Sequence, residues 1–115
     1  MILIVDSGST KTDWCFVYDK YTTHIIQTKG INPVVQSQED IKQTIEDEFV
    51  NKSRHKEIDL HDVHHIYYYG AGCVADKKYI IEQLLKKVFH NNTTISVESD
   101  IMAACHALCG KEEGL

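Results

Sequence analysis

Apolar positions along the chain follow two rhythms. Ile2, Leu3, Ile4 and Val5 form an unbroken run, read as a strand buried on both faces. "DWCFVYD" (residues 13–19) and "THIIQTK" (23–29) are two further strand-like runs, divided by a polar turn around Asp19 to Thr22. The rhythm then changes. After "GINP" (30–33), Ser37 precedes Gln38, Glu39 and Asp40, a helix start with acids in its first turn. Ile41, Ile45 and Phe49 continue that helix, four residues apart, to about His55. Residues 63–69 are a fourth strand, rich in aromatic and branched residues, stopping at "GAG" (70–72). Asp76 is expected to cap a second helix, with Ile80, Ile81, Leu84, Leu85 and Val88 at helical spacing and Asn91 and Asn92 at its end. "TTISVES" (93–99) is a fifth strand, and residues 100–108 read as a third helix closed by Gly110.

Three strands, helix, strand, helix, strand, helix: an antiparallel meander followed by right-handed crossovers gives a mixed sheet with helices on its faces. The expected fold is α/β and ribonuclease-H-like, a five-stranded mixed sheet of order 3-2-1-4-5 with three flanking helices. Periodicity does not set strand order, so this rests partly on analogy. The 115 residues suffice for one core and not two, so residues 1–115 are expected to form a single domain. In that topology strands one, three, four and five are parallel. Their carboxyl ends share one edge, where open α/β sheets place ligands.

The segments after these four strands are not ordinary loop sequence. Strand one ends in Asp6 and "SGSTKT" (7–12), strand three in Gly30-Ile31-Asn32-Pro33, strand four in Gly70-Ala71-Gly72, and strand five in Glu98-Ser99-Asp100. Gly8 permits a sharp turn, and the amides of residues 7–10, Ser9 among them, can form an anion nest. Thr10 and Thr12 add hydroxyls, and Lys11 adds a point charge for phosphoryl oxygens. Asp6 suits Mg²⁺, which favours one or two carboxylates plus phosphate. The plainer reading of this stretch is an Asx-type hairpin turn with a surface lysine; the company of three other such loops weighs against it. Asp100 is either a helix N-cap or a general base toward a substrate hydroxyl. Glu98 competes with it, and shares its side only if the strand continues that far. Asn32 either hydrogen-bonds a sugar hydroxyl or is a turn residue before Pro33. Gly70, Ala71 and Gly72 allow close approach of a ligand, or simply a tight turn.

Composition narrows the classes. A net charge of -5 argues against nucleic acid, and the basic clusters at 52–56, 77–78 and 86–87 read as solvated helix faces. No apolar run approaches the ~20 residues of a membrane span. The first residues read as a strand and not a signal peptide, so a cytoplasmic protein is expected. The 4 cysteines (Cys15, Cys73, Cys105, Cys109) lack zinc spacing and read as free thiols. "HDVHH" (61–65) has no partner Cys or carboxylate at ligand spacing.

"DSGSTKT" (6–12) resembles the first phosphate-binding motif of the actin, hexokinase and Hsp70-type ATPase superfamily. "YYYGAGC" (67–73) and "ESDIMAACHAL" (98–108) look like the BadF/BadG/BcrA/BcrD-type ATPases and the N-acetylglucosamine kinases similar to them. The match runs over nearly the whole chain, with Ser7 and Ser9 where many members have glycine. The resemblance implies ATP and Mg²⁺ as cofactors, with Asp6, Gly8, Ser9, Thr10, Lys11 and Thr12 on the nucleotide side and Asp6 on the metal. It implies a sugar held by Asn32, Gly70, Ala71, Gly72 and Asp100, with Asp100 as catalytic base. Members carry a second domain of the same fold, with the rest of the ATP site; this chain stops at "CGKEEGL" (109–115), where that half is expected to begin. The expectation is therefore the amino-terminal domain of an ATP-dependent kinase for N-acetylglucosamine or a related amino sugar. With the other half absent, it is expected to form a homodimer or pair with the missing domain.

Three other functions fit less of the sequence. An activator ATPase of a 2-hydroxyacyl-CoA dehydratase would bridge an iron–sulfur cluster, and Cys105 and Cys109 do not match that ligand pattern. A non-catalytic binding module with this fold is a second alternative. A ribonuclease-H-type nuclease needs several carboxylates around two metals, and "GAG" after strand four supplies none.

Overall fold

The computed structural model describes residues 1–89 and 92–99. Five strands, β1 (Ile2–Ser7), β2 (Lys11–Val17), β3 (Thr23–Lys29), β4 (His65–Gly70) and β5 (Thr94–Ser99), form one sheet of order β3-β2-β1-β4-β5. β2 is antiparallel to both β1 and β3, whereas β4 is parallel to β1 and β5 to β4. The expected sheet is thus the observed one. α1 (Gln38–Gln43) and α2 (Val50–His55) flank a π-helical segment, Thr44–Phe49, and α3 (Lys77–Val88) links β4 to β5. The third helix expected at 100–108 lies outside the described residues.

Strand alternation puts Leu3, Val5, Trp14, Phe16, Ile26, Ile66, Tyr68 and Val97 on one face, all buried in one core with Ile41, Ile45 and Phe49 and with Ile81, Leu84 and Leu85 of α3. Phe49 is the keystone of the helical layer. Its ring stacks on Trp14 at 3.9 Å between centroids and lies 5.9 Å from Phe16 and 6.0 Å from Phe89. Fully burying such a side chain contributes about 1.5–3 kcal/mol. The π-helical segment is a departure from the single regular helix expected at 38–55. Its wider turn still buries Ile45 and Phe49, toward the sheet.

The opposite face is less covered. Ile25, Cys15, Ile4 and Tyr67 are neighbours in register across four strands; Ile25 is 57% and Ile4 40% exposed. The first strand is therefore not buried on both faces among the described residues. Other boundaries shift for local reasons. β1 and β2 reach further toward each other than expected, because Gly8 N–H donates to Lys11 O at 2.8 Å and closes the hairpin over Gly8, Ser9 and Thr10. Ser37 caps α1 as expected, its hydroxyl accepting from Asp40 N–H. Asp76 precedes α3 without a side-chain capping bond, and that helix stops at Val88, before Asn91 and Asn92.

Candidate functional site

Five residues form one row across the sheet near its carboxyl edge: Thr28, Thr12, Ser7, Gly70 and Ser99. Above them lie the loops that follow β1, β3 and β4. The row shares the parity of the core side chains, so Ser7, Thr12 and Thr28 are buried hydroxyls within an apolar layer. Such groups need partners, and each has one. Ser7 Oγ donates to Ile31 O at 2.9 Å and lies 3.1 Å from Thr12 Oγ1. Trp14 Nε1 donates to Thr28 Oγ1, which in turn donates to Lys29 O. Thr12 thus supports the turn from beneath.

The next row, on the less covered face, is Gln27, Asp13, Asp6, Tyr69 and Glu98. Asp6 is exposed and stands directly opposite Asp13. Asp13 accepts from Gln27 Nε2 at 2.8 Å and lies 3.8 Å from Lys11 Nζ, whose side chain is 62% exposed. Two cross-strand carboxylates repel, and a cation, the lysine or a metal, relieves them. Glu98 is paired with Lys78 at 3.1 Å. Burial, with Tyr67 and Glu98 as neighbours, raises the pKa of the Tyr69 phenol. Burial likewise raises that of the Cys15 thiol on this face.

The three loops touch. Gly30 backs onto Gly8 and Ser9, where a Cβ would meet backbone atoms at 2.5 Å. Gly72 has φ +74°, and a Cβ there would run into the Asn32 carboxamide. Ala71 N–H donates to Ser7 O at 2.8 Å, extending the β1–β4 ladder into the third loop. Asn32 Oδ1 accepts from Val34 N–H at 3.0 Å, and Asn32 N–H donates to Gln36 Oε1 at 2.7 Å. Gln36 Nε2 then donates to Gly30 O at 3.1 Å, so one glutamine brackets the whole turn. Asn32 is a turn residue here, with its Nδ2 end unused among the described residues. Thr10 and Ser9 lie at the exposed tip of the first loop, while the Gly8 amide is spent on closing the hairpin.

Beneath these loops Tyr68 is fully buried, and its hydroxyl is the one buried side-chain polar atom without a hydrogen-bond partner among the described residues. Desolvation drives its pKa far upward, opposed in part by nearby Ser7. Asp6, Gly8, Ser9, Thr10, Lys11, Thr12, Asn32, Gly70, Ala71 and Gly72 all gather at the one edge; Asp100 lies outside the described residues. The sequence reading missed Asp13, Gln36 and the burial of Ser7.

No family model and no curated protein matches this chain. Among solved structures it matches one described as the "putative N-acetylglucosamine kinase" of Porphyromonas gingivalis, with a TM-score of 0.84 and 36% sequence identity. The alignment covers 96% of this chain and 38% of that one. Among the described residues no helix is long and apolar enough to cross a membrane. The resemblance read from the motifs is thereby shown: over nearly its whole length the chain is similar to the protein so described, and its described residues form the same kind of α/β fold.

Proposed function

We propose that this chain is the amino-terminal domain of an ATP-dependent kinase that phosphorylates N-acetylglucosamine or a related amino sugar, in the cytoplasm. The observation that carries the reading is the convergence of the loops after β1, β3 and β4 on one sheet edge, in a chain 36% identical to a protein described as a "putative N-acetylglucosamine kinase". The residues fit the groups this activity requires. Asp6, exposed at the strand end and facing Asp13, supplies hard oxygen ligands of the kind Mg²⁺ takes. The exposed tip at Ser9 and Thr10, with the Lys11 ammonium, offers donors to phosphate oxygens. Bound MgATP would supply the phosphoryl group and offset its negative charge.

In this reading Asn32 presents its Nδ2 donor to a sugar hydroxyl, and Gly70, Ala71 and Gly72 let that ring approach the backbone. Asp100 accepts the proton of the attacking hydroxyl. The chain spans 38% of the length of the protein it matches, and in this reading the remaining half of the nucleotide clamp belongs to a second domain. The test is transfer of the γ-phosphoryl group of ATP to N-acetylglucosamine, assayed for the two-domain protein and for the 115-residue chain. Turnover is expected only from the former, since phosphoryl transfer depends on positioning between clamped groups. Absence of sugar-dependent ATP consumption by the two-domain protein would overturn the assignment.

A further inference from the structure

We infer that Ser7 is a positioning residue, whose single hydroxyl proton fastens the loop after β3 to the loop after β1 so that the two open and close as one unit. A serine hydroxyl has one proton to give and two lone pairs to receive with. Ile31 O, a carbonyl, can only accept, and it lies 2.9 Å from Ser7 Oγ, so the proton of Ser7 is committed there. The 3.1 Å contact with Thr12 Oγ1 must then run from Thr12 to Ser7. The order of donation is therefore fixed: Thr12 to Ser7, and Ser7 to the backbone of the second loop. Both hydroxyl-bearing residues are fully buried, where water cannot replace a lost partner.

Ser7 is also held through its own backbone. Its carbonyl accepts from Ala71 N–H at 2.8 Å, which attaches the third loop to the same residue. Steric contacts repeat the pattern: Gly30 against Gly8 and Ser9, and Gly72 against Asn32. One residue thus holds the first loop through the chain, the second through its side chain and the third through its carbonyl. Its bearing on catalysis rests on the kinase reading, where it would keep the sugar-side and phosphate-side loops at a fixed separation; the linkage itself does not depend on that reading.

Amide hydrogen exchange on the 115-residue chain tests it without any ligand. Gly8, Asn32 and Ala71 each donate a defined amide bond, one per loop. In the wild-type protein in low urea, the Gly8 and Asn32 amides are expected to share one opening free energy and one urea slope. In Ser7→Ala, Asn32 exchange is expected to rise about tenfold relative to the core amide of Phe89. Thr12→Val removes a buried hydrogen bond of the same cluster but leaves the bond from Ser7 to Ile31, so Asn32 should stay close to wild type. Different urea slopes for Gly8 and Asn32 in the wild type would overturn the inference even if Ser7→Ala does not fold. So would an equal effect of Thr12→Val and Ser7→Ala on Asn32, since any buried hydroxyl would then serve.

Discussion

The hydroxyl of Tyr68 is fully desolvated and has no hydrogen-bond partner among the described residues, while its ring packs edge-on against Trp14. Burying such a donor unpaired costs about 1–3 kcal/mol. Tyr68→Phe is therefore expected to hold or raise the denaturant midpoint, and a loss above about 1 kcal/mol would show that the hydroxyl has a partner in solution. The proposed carboxylates predict a different contrast, measured on the two-domain protein. Asp6→Asn should weaken use of Mg-nucleotide. Asp100→Asn should lower kcat about 10²- to 10⁴-fold with binding nearly intact. A near-normal kcat with a lower melting temperature would make Asp100 a helix cap, worth about 1 kcal/mol. The loops were legible because Asp, Gly, Thr and Lys rarely gather after a strand without cause. The burial of Ser7 and Thr12 was not, because hydroxyls in a phosphate-type motif read as ligand donors. Parity held the information: Ser7 continues Leu3 and Val5, and Thr12 precedes Trp14 and Phe16. The same count, extended across the hairpin, places Asp13 opposite Asp6.

At the scale of elements, the order of strands and helices among the described residues could be read from the chain, and their ends and the π-helical turn could not. The facing ends of β1 and β2 meet at a single hairpin bond at Gly8, and Thr44–Phe49 takes a π-helical turn; neither leaves a periodic trace in sequence. The π-helical segment and α2 also do something no pattern announces. Glu48 accepts from Lys29 N–H at 3.1 Å, and Lys52 Nζ donates to Gln27 O, closing with Glu48 at 3.2 Å. These are outward groups of β3, at the edge of the sheet, where an open ladder invites another strand. Removing both side chains, in Glu48→Ala with Lys52→Ala, should change stability by only about 1 kcal/mol, as for an exposed pair. The variant should nonetheless scatter more light at high concentration, with added β signal in the amide I band. Unchanged scattering would show that edge protection lies elsewhere.

At the scale of the whole molecule the sheet is asymmetric among the described residues. One face lies under α1, α2 and α3, while the other presents Ile25, Cys15, Ile4 and Tyr67 in a row across four strands. Sheets with parallel strands at their centre are ordinarily covered on both faces, and an apolar row of this kind is a surface for association. In the two-domain protein proposed above, that cover comes from within the same polypeptide. For the 115-residue chain alone, self-association is the expected outcome, most simply as a two-fold dimer in which the same patch meets itself. Ile25 is the residue to change, because it is 57% exposed and its substitution leaves the buried core intact. Sedimentation equilibrium is expected to give a dimer for the wild type and a monomer for Ile25→Glu, with similar melting temperatures. If the wild type is a clean monomer at high concentration, the row is covered by its own chain and self-association through this face is ruled out. If Ile25→Glu remains a dimer, association runs through another surface, and the double variant at Glu48 and Lys52 would show whether the β3 edge contributes.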